Sequence, residues 1–301
     1  MTKNITIKVP ATTANMGPGF DCLGMALDIW NSIEIKVGTP NFAIHGQGHK
    51  HLPSGKNNLI YKSLTFPFNR CGQEVPEMSI NCFNEIPLSK GLGSSSAAIV
   101  AGLLAGNELC QNPLDKKQLL EIATELDGHP DNVSAALLGG CQIVIQNQNQ
   151  LVTSELQVPT NLGAVIFIPN SSNPTRKARS ILPRNISRED AVYNIGRMGL
   201  LTKALATNDF SQLWLGTQDT LHQPAREKMF PHMKNIFKAA IDAGALGVFL
   251  SGAGSSILAL TQDRETTIGY EMSDAAARFG VDGTIKITHP TNLGAHVEGN
   301  T

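Results

Sequence analysis

The sequence carries little charge, and neither sign dominates. Only 16% of its 301 residues are Asp, Glu, Lys or Arg, and 24 basic side chains nearly balance 25 acidic ones, which leaves a formal net charge of -1. Proteins that bind nucleic acid or an acidic membrane through their overall charge have a large excess of positive charge. We therefore expect no nucleic-acid partner and no membrane partner, and any anion must be bound by a local feature.

Paired cysteines and long apolar runs are also lacking. The five cysteines are an odd number without CxxC spacing, which argues against a disulfide framework or a zinc site. No apolar run approaches the roughly 18 residues of a membrane span, and the N-terminus lacks the apolar core of a secretory signal. We expect a cytoplasmic protein whose thiols are reduced and buried.

Strand and helix patterns are both present. Ile5, Ile7 and Val9 alternate with polar residues up to Pro10, which predicts a strand that stops there and runs into an unusual connecting segment, 11–27. Further strands are predicted at about 29–37, 77–85, 141–146, 162–168, 247–251, 257–260 and 283–288. Helical spacing predicts helices at about 58–71, 94–109, 114–126, 129–140, 188–207, 233–243 and 264–279.

These elements do not follow a strict alternation of strand and helix. The fold class we predict is therefore α+β, arranged in two lobes. The polar run QNQNQ at 146–150 has no apolar residue, so it predicts a turn or linker near the lobe boundary. We place the lobes at residues 1–155 and 156–301.

One segment, PLSKGLGSSSAA at 87–98, lies between a predicted strand and a predicted helix. Its glycines allow a ligand to approach the backbone, and its three serines begin a helix whose free N–H groups suit an anion, so we predict a phosphate-binding loop. The segment is not GxxxxGK[ST], because Lys90 precedes the first glycine, and it fits neither GxGxxG nor GxSxG. The alternative is an N-capped helix with small residues chosen for packing.

Two other loops are rich in glycine. In the first, PATTANMGPGFDCLG at 10–24, a tight turn holds Asn15 and Asp21 on one short loop. The second, SGAGSS at 251–256, lies between two predicted strands. Taken alone, the first loop could be a turn without a site, and the second could either lie against the other loops or be a hairpin turn.

Together, these segments resemble in order and content the motifs of the GHMP kinase family, and among its members most closely the homoserine kinases. The matching segments are PATTANMGPGFDCLGMAL, PLSKGLGSSSAA, DGHPDNV and LSGAGSSILAL. The resemblance implies an N-terminal ATP-binding lobe and a C-terminal ferredoxin-like sandwich. It also implies transfer of the γ-phosphoryl group of ATP to the hydroxyl of L-homoserine, on the route to threonine. Members of the family are often homodimers.

The resemblance also implies an ATP site with Mg²⁺. The positions matched to nucleotide binding are Asn58, Pro87, Lys90, Gly91, Leu92, Gly93, Ser94, Ser95 and Ser96. Ser95 matches the position that coordinates Mg²⁺, and the family's second ligand is a Glu in EGHPDN. This chain has Asp127 there, one methylene shorter, and we expect it to bind the metal either directly or through a water. Glu125 would face another direction of the helix.

For the substrate, the matched positions are Asn15, Asp21, Asn132, Thr175, Arg179, Arg226 and Gly254. A guanidinium suits the carboxylate of homoserine. Asp21 is either the general base or the partner of the ammonium, and we predict the second role, with Asn15 and Asn132 orienting the hydroxyl and the backbone. The catalytic set is then Asp21, Asn15, Ser95 and Asp127. We expect His129 to be a structural hydrogen-bonding residue.

Two alternatives remain at this point. A GHMP kinase that acts on another small alcohol would share the phosphate loop, but the segments around Arg179 and Arg226 favour an amino acid. A GHMP-like protein that binds ligand without catalysis would be consistent with Asp127 and with Ser255, which stands where the family often has Pro.

Overall fold

A computed structural model of the chain describes residues 4–148, 150–171 and 174–298. The elements of the first half are β1 (Asn4–Asn15), β2 (Gly19–Val37), β3 (Asn41–Gly46), α1 (Leu59–Cys71), β4 (Met78–Asn84), α2 (Ser94–Leu109), α3 (Lys116–Asp127), α4 (Pro130–Leu138), β5 (Cys141–Asn147) and β6 (Gln150–Leu156). Those of the second half are β7 (Gly163–Pro169), α5 (Thr175–Ser180), α6 (Arg188–Thr207), α7 (Leu213–Gly216), α8 (Gln223–Arg226), α9 (Met233–Asp242), β8 (Gly247–Leu250), β9 (Ile257–Thr261), α10 (Glu265–Ala277), β10 (Gly283–Thr288) and β11 (His296–Val297).

The strands form two sheets. The larger has seven strands in the order β11-β1-β2-β4-β3, with β5 paired to β2 and β6 to β5. The smaller has four antiparallel strands in the order β10-β7-β9-β8. Sheets and helices are mixed rather than strictly alternating, so the predicted α+β class is confirmed. The lobe boundary at residue 155 stays a prediction.

The buried side chains form two hydrophobic cores, and the larger one also includes side chains of the smaller sheet, such as Ile166 and Leu258. The larger core joins alternate residues of β1 and β2 to the apolar sides of α1 and α2, through side chains such as Ile7, Ile33, Leu64 and Leu103. The smaller core packs α9 and α10 on the four-stranded sheet. Within the described residues, no helix combines the length and the apolar character needed to cross a bilayer.

The first strand is longer than predicted. We expected it to stop at Pro10, but β1 runs on to Asn15 and pairs with β2, so most of segment 11–27 is hairpin strand. The pairing register shifts between Pro10 and Ala11. Pro10 pairs with Trp30 and Ala11 with Leu27, so Asp28 and Ile29 of β2 have no partner on β1. Pro10 therefore lies at an irregularity of the ladder, the kind of position where a strand tolerates proline.

Three strands, β3, β6 and β11, were not predicted, and β11 pairs with β1. β3 pairs in parallel with β4, and β6 forms a hairpin with β5. The run QNQNQ lies at the tip of that hairpin, where Gln148 is in a turn, and Asn149 falls outside the described residues. All five cysteines are free thiols; Cys82, Cys110 and Cys141 are buried, whereas Cys22 and Cys71 are only half-buried.

Candidate active site

The three glycine-rich loops meet at one cavity of about 510 Å³. The backbone N–H of Gly252 donates to the carbonyl of Ala14 over 3.0 Å, and Asn15 Nδ2 donates to the Gly252 carbonyl over 2.9 Å. Ser251 Oγ donates to the Gly91 carbonyl over 2.6 Å. The third loop therefore lies against the other two and is more than a hairpin turn.

Two positions of the phosphate loop, Gly91 and Gly93, require glycine because atoms of other segments lie close to them. Gly91 and Gly93 have φ values of +76° and +69°, which side chains other than glycine rarely adopt. A Cβ at Gly91 would lie 2.1 Å from the Ser251 carbonyl oxygen, and one at Gly93 would lie 1.9 Å from Thr12 Oγ1. Gly93 is the N-cap of the long helix α2, whose first N–H groups have no acceptor within the helix. This end of the cavity suits an anion.

Another part of the cavity is lined mostly by apolar side chains. Its wall includes Ile44, Leu52, Pro53, Leu59, Cys82 and Leu88. Asn58 holds this wall in place, because its Nδ2 donates to the Pro53 carbonyl over 2.7 Å and its Oδ1 accepts from the Ile60 N–H over 2.9 Å. Side chains of this kind, next to an anion site, suit a flat aromatic group such as a nucleotide base.

An ion pair joins the first loop to α5. Arg179 donates to Asp21 from both terminal nitrogens of its guanidinium, over 3.0 and 2.5 Å. The two side chains are about one-third exposed, so solvent or a ligand can reach them. Asn15 Oδ1 accepts from the backbone N–H of Asp21 over 3.0 Å and fixes the carboxylate on its short loop. The arginine also lies over the Phe20 ring, 5.4 Å from its centroid.

A second arginine is buried behind this pair. Arg226 is 3% exposed, and its Nη1 donates to the Gly252 carbonyl over 2.8 Å and to His222 Nδ1 over 2.9 Å. Because a guanidinium only donates, Nδ1 must accept, and the proton of the His222 ring lies on Nε2. That N–H donates to the Gly17 carbonyl over 2.8 Å. His222 therefore links the arginine to the first loop.

Burial keeps His222 neutral, and Asp219 fixes its backbone. The imidazole is fully buried, and desolvation lowers its pKa to about 4, so the ring is neutral near pH 7. Asp219 accepts from the backbone N–H groups of His222 and Gln223 over 3.0 and 2.7 Å, and from Asn194 Nδ2 over 2.7 Å. Desolvation also lowers the pKa of Arg226 to about 10, which leaves it charged at neutral pH.

Two desolvated carboxyls line the same cavity. Desolvation raises the pKa of Asp127 to about 6, although Ser96 Oγ donates to it over 3.1 Å. Desolvation likewise raises the pKa of Asp131 to about 6, and its Oδ1 accepts from the backbone N–H of Asn132 over 2.7 Å. Such carboxylates are stabilised by a nearby cation. His129 also lines the cavity, and burial together with the charge of Arg179 lowers its pKa.

Comparison with known proteins decides the family. The models for the GHMP kinases N terminal domain and the GHMP kinases C terminal region match residues 58–140 and 191–275. A homoserine kinase of Moorella thermoacetica is 40% identical over 292 residues, which are 97% of this chain and 99% of that protein. The chain belongs to the GHMP kinase family.

Other relatives support the same family. A homoserine kinase of Desulfitobacterium hafniense is 38% identical to this GHMP kinase over 295 residues, covering 97% of this chain and 99% of the relative. The crystal structure of a homoserine kinase from Cytophaga hutchinsonii superposes with a TM-score of 0.89 at 33% identity, covering 99% of this chain and 98% of the other. A Streptococcus pneumoniae phosphomevalonate kinase, at 15% identity and a TM-score of 0.67, shares the fold.

The GHMP kinases use ATP, and the anion end of the cavity fits its phosphates. The predicted metal ligands also fit Mg²⁺ by their chemistry, since Asp127 and Ser95 supply the oxygen donors that this ion prefers. Among residues 4–148, 150–171 and 174–298, no group of three or more His, Cys, Asp or Glu is arranged to hold a metal. Phosphate and water oxygens would therefore have to complete the shell. The hydroxyl that bonds Asp127 belongs to Ser96, and Ser95 lies exposed in the cavity wall.

The structure brings most of the predicted site residues of this GHMP kinase into the one cavity. The predicted residues that line it are Asn15, Asn58, Lys90, Gly91, Leu92, Gly93, Ser94, Ser95, Ser96, Asp127, Asn132, Thr175, Arg179 and Arg226. Asp21 adjoins it through Arg179, Gly254 through its neighbour Ala253, and Pro87 through its neighbour Leu88. The roles given to these residues stay predictions.

Sequence reasoning missed Asp131, His222 and Asp219 as site residues. Asp131 stands inside the quoted motif DGHPDNV, and His222 stands four residues before Arg226. The available signal was the spacing of four residues between His222, the N-cap of α8, and Arg226, its last residue, because residues four apart at a helical turn lie close together. The contact with Gly17, over 200 residues away in the sequence, had no such signal.

Proposed function

We propose that this GHMP kinase transfers the γ-phosphoryl group of ATP to the side-chain hydroxyl of L-homoserine and forms O-phospho-L-homoserine, a step on the route to threonine. The names of its relatives support this substrate. The observation that carries the proposal is the Asp21–Arg179 ion pair, which adjoins the same cavity as the phosphate loop.

This ion pair suits a zwitterion. The two charges satisfy each other. An amino acid can insert its ammonium beside Asp21 and its carboxylate beside Arg179 and Arg226, so that neither charge loses a partner. An alcohol that carries a carboxylate and no ammonium, such as mevalonate, would leave Asp21 without its counter-charge. The pair therefore favours an amino acid over another small alcohol.

The chemical step needs alignment more than covalent chemistry from the protein. The backbone N–H groups at the start of α2 would bind the phosphates, and Asn15 and Asn132 would orient the substrate. Ser95 and Asp127 would hold Mg²⁺, which supplies neutralisation of phosphate charge when bound.

Asp21 is proposed to bind the ammonium of homoserine rather than act as the general base. In a loose transition state the hydroxyl loses its proton late, so a strong base is not required. Asp21→Asn should then raise the KM for homoserine by at least as large a factor as it lowers kcat. A fall of kcat by several orders of magnitude with unchanged homoserine binding would identify Asp21 as the base.

An ATP-dependent assay with L-homoserine, L-serine and mevalonate side by side tests the proposal. We expect efficient, Mg²⁺-dependent formation of O-phospho-L-homoserine and little product from the other two alcohols. Preferred turnover of mevalonate would assign another substrate, and ATP binding without transfer to any alcohol would contradict catalysis.

Location, assembly and lobe boundary belong to the proposal as well. The resemblance to the family supports a homodimer in the cytoplasm, with lobes at 1–155 and 156–301. Sedimentation of the purified chain at several concentrations would test the dimer.

A further inference from the structure

The Lys90 side chain does not point its ammonium at the phosphate end of the cavity. Its Nζ donates to three consecutive carbonyls, those of Pro169, Asn170 and Ser171, over 2.7, 2.8 and 2.6 Å. These residues form the end of β7 and the start of the segment that follows it. The resemblance to other GHMP kinases had placed Lys90 among the ATP-binding residues, so this geometry indicates a different use.

The three carbonyls satisfy the ammonium completely. A lysine ammonium has three N–H donors and no acceptor, and each donor has an oxygen at hydrogen-bonding distance. Carbonyl oxygens carry partial negative charge, so the position attracts a cation and repels a phosphate. For Lys90 to bind ATP, it would have to give up all three hydrogen bonds at once.

The backbone of Lys90 is fixed at the same place. Its carbonyl accepts from the N–H of Ser256 over 3.1 Å, and the next residue, Gly91, accepts from Ser251 Oγ. Ser255 Oγ donates to the Ser171 carbonyl over 2.8 Å. The phosphate loop, the third glycine-rich loop and the end of β7 therefore meet at one junction.

This junction lies just before the helix that carries the substrate-binding arginine. α5 begins at Thr175, four residues after Ser171, and its Arg179 binds Asp21 on the first loop. Chain connections and hydrogen bonds thus run from the phosphate loop through Lys90 to the end of β7, then through α5 to Asp21.

We propose that Lys90 is a positioning residue, which ties the phosphate loop to the end of β7 and thereby makes ATP binding and amino-acid binding favour each other. The identity of the amino acid rests on the proposed function. The hydrogen bonds between Lys90 and the end of β7 do not. When ATP orders the phosphate loop, Lys90 also orders the end of β7. The amino acid that then binds Arg179 on α5 loses less conformational entropy.

The test is calorimetry on the full chain with a non-hydrolysable ATP analogue and L-homoserine, added singly and together. In the parental protein we expect each ligand to tighten the other about fivefold or more. In Lys90→Met this coupling should vanish and homoserine should bind about tenfold more weakly, while the affinity for the ATP analogue alone changes less than about threefold. Lys238→Met, which removes a surface ammonium paired with Asp242, is the matched control and should retain the coupling.

A second variant and a second readout keep the result unambiguous. Ser255→Ala removes the hydrogen bond that the uncharged Ser255 side chain donates to the Ser171 carbonyl. It should also weaken the coupling between ATP-analogue and homoserine binding, by a smaller factor than Lys90→Met. In the ligand-free protein, amide exchange in peptides covering β7 and α5 should be faster in Lys90→Met than in the parent and in Lys238→Met.

Two outcomes would overturn the proposal. If Lys90→Met weakens the ATP analogue about tenfold and leaves homoserine binding and the exchange of α5 unchanged, Lys90 is a phosphate ligand. If Lys90→Met keeps both the coupling and the amide-exchange rates of the parent, the hydrogen bonds between Lys90 and the end of β7 have no role in coupling the two ligands. A parental protein that fails to bind homoserine would instead contradict the proposed function, and the exchange measurement would still decide whether the tie exists.

Discussion

The two ends of the cavity are built in different ways. The phosphate end comes from one contiguous segment, 87–98, whose shape depends on the absence of side chains at Gly91 and Gly93. The substrate end is assembled from the first loop, α5 and α8, and it is held by charged and polar side chains that bind each other. Substitutions should therefore act by steric exclusion at the first end and by loss of a partner at the second.

The largest effect is expected at the phosphate end. Gly93→Ala places a Cβ 1.9 Å from Thr12 Oγ1 at a φ of +69°, so the loop must shift. We expect kcat/KM for ATP to fall roughly thousandfold, as when a preorganised anion site is lost, with homoserine binding less affected. The assay is initial-rate kinetics together with thermal unfolding.

Gly196→Ala is the matched control for that substitution. Gly196 lies in α6 and has nothing within 4 Å of an added Cβ. This change should leave turnover unaffected and stabilise the helix by about 0.5–1 kcal/mol. Equal losses in both variants would contradict the steric account.

Asp127→Asn should lower activity and raise stability together. Without the carboxylate we expect a roughly hundredfold loss of Mg²⁺-dependent turnover. The folded pKa of Asp127 is about 6, raised by desolvation from 3.8, so its ionisation lowers stability progressively as the pH rises from about 4 to 6, and the full loss is present above pH 6. The variant should therefore be more stable at pH 7 by about 1–3 kcal/mol, an advantage that shrinks as pH falls towards 4. Denaturant titrations at pH 4, 5.5 and 7 measure this trend.

Glu121→Gln and Glu125→Gln provide the comparison for the metal assignment, because both carboxylates lie on the same helix, α3. Neither should change the Mg²⁺ concentration required for half-maximal rate. If one of them raises that requirement and Asp127→Asn does not, the metal ligand is the glutamate.

Arg226→Lys tests the substrate end. A lysine cannot bind Gly252 and His222 while also presenting a bidentate face to a carboxylate. We expect the KM for homoserine to rise about thirtyfold, with the KM for ATP within about threefold of the parent. Arg278→Lys, at a surface arginine paired with Asp274, should change neither. Equal increases of both KM values would indicate a general structural defect at Arg226.

The smallest effect is expected from two substitutions of His222, which compare the contributions of its two hydrogen bonds. An asparagine amide can replace Nδ1 as the acceptor for Arg226, whereas a glutamine amide reaches nearer to the position of Nε2 and the Gly17 carbonyl. His222→Asn should therefore retain homoserine affinity better than His222→Gln, by about fivefold. The reverse order would mean that the link to Gly17 matters more than the orientation of Arg226.

Much of the fold and of the phosphate end could be predicted from the sequence. Helices 94–109 and 188–207 were predicted with their observed bounds, because apolar spacing and helix-start residues are local signals. The phosphate loop was predicted for the same reason. The continuation of β1 past Pro10 was missed, since the bulge that accommodates the proline depends on the partner strand β2.

The substrate end was harder to predict. The residues of its hydrogen bonds are far apart in sequence, as with His222 and Gly17 or Arg179 and Asp21. A single sequence gives the residue types but no distances between them. Asp21 and Arg179 were each chosen for a charge on the substrate, and only the folded chain shows that they bind each other.

The return of β11 to the first sheet bears on how the chain folds as it is synthesised. β11 pairs with β1 through Ile7 and Lys8, and Thr291 bonds back to Ala26. Until residues 289–298 leave the ribosome, the outer edge of β1 has no strand beside it and exposes unpaired backbone groups. A nascent chain that has already formed the phosphate loop should therefore still be open to edge-to-edge association, and it becomes protected only when this late segment docks.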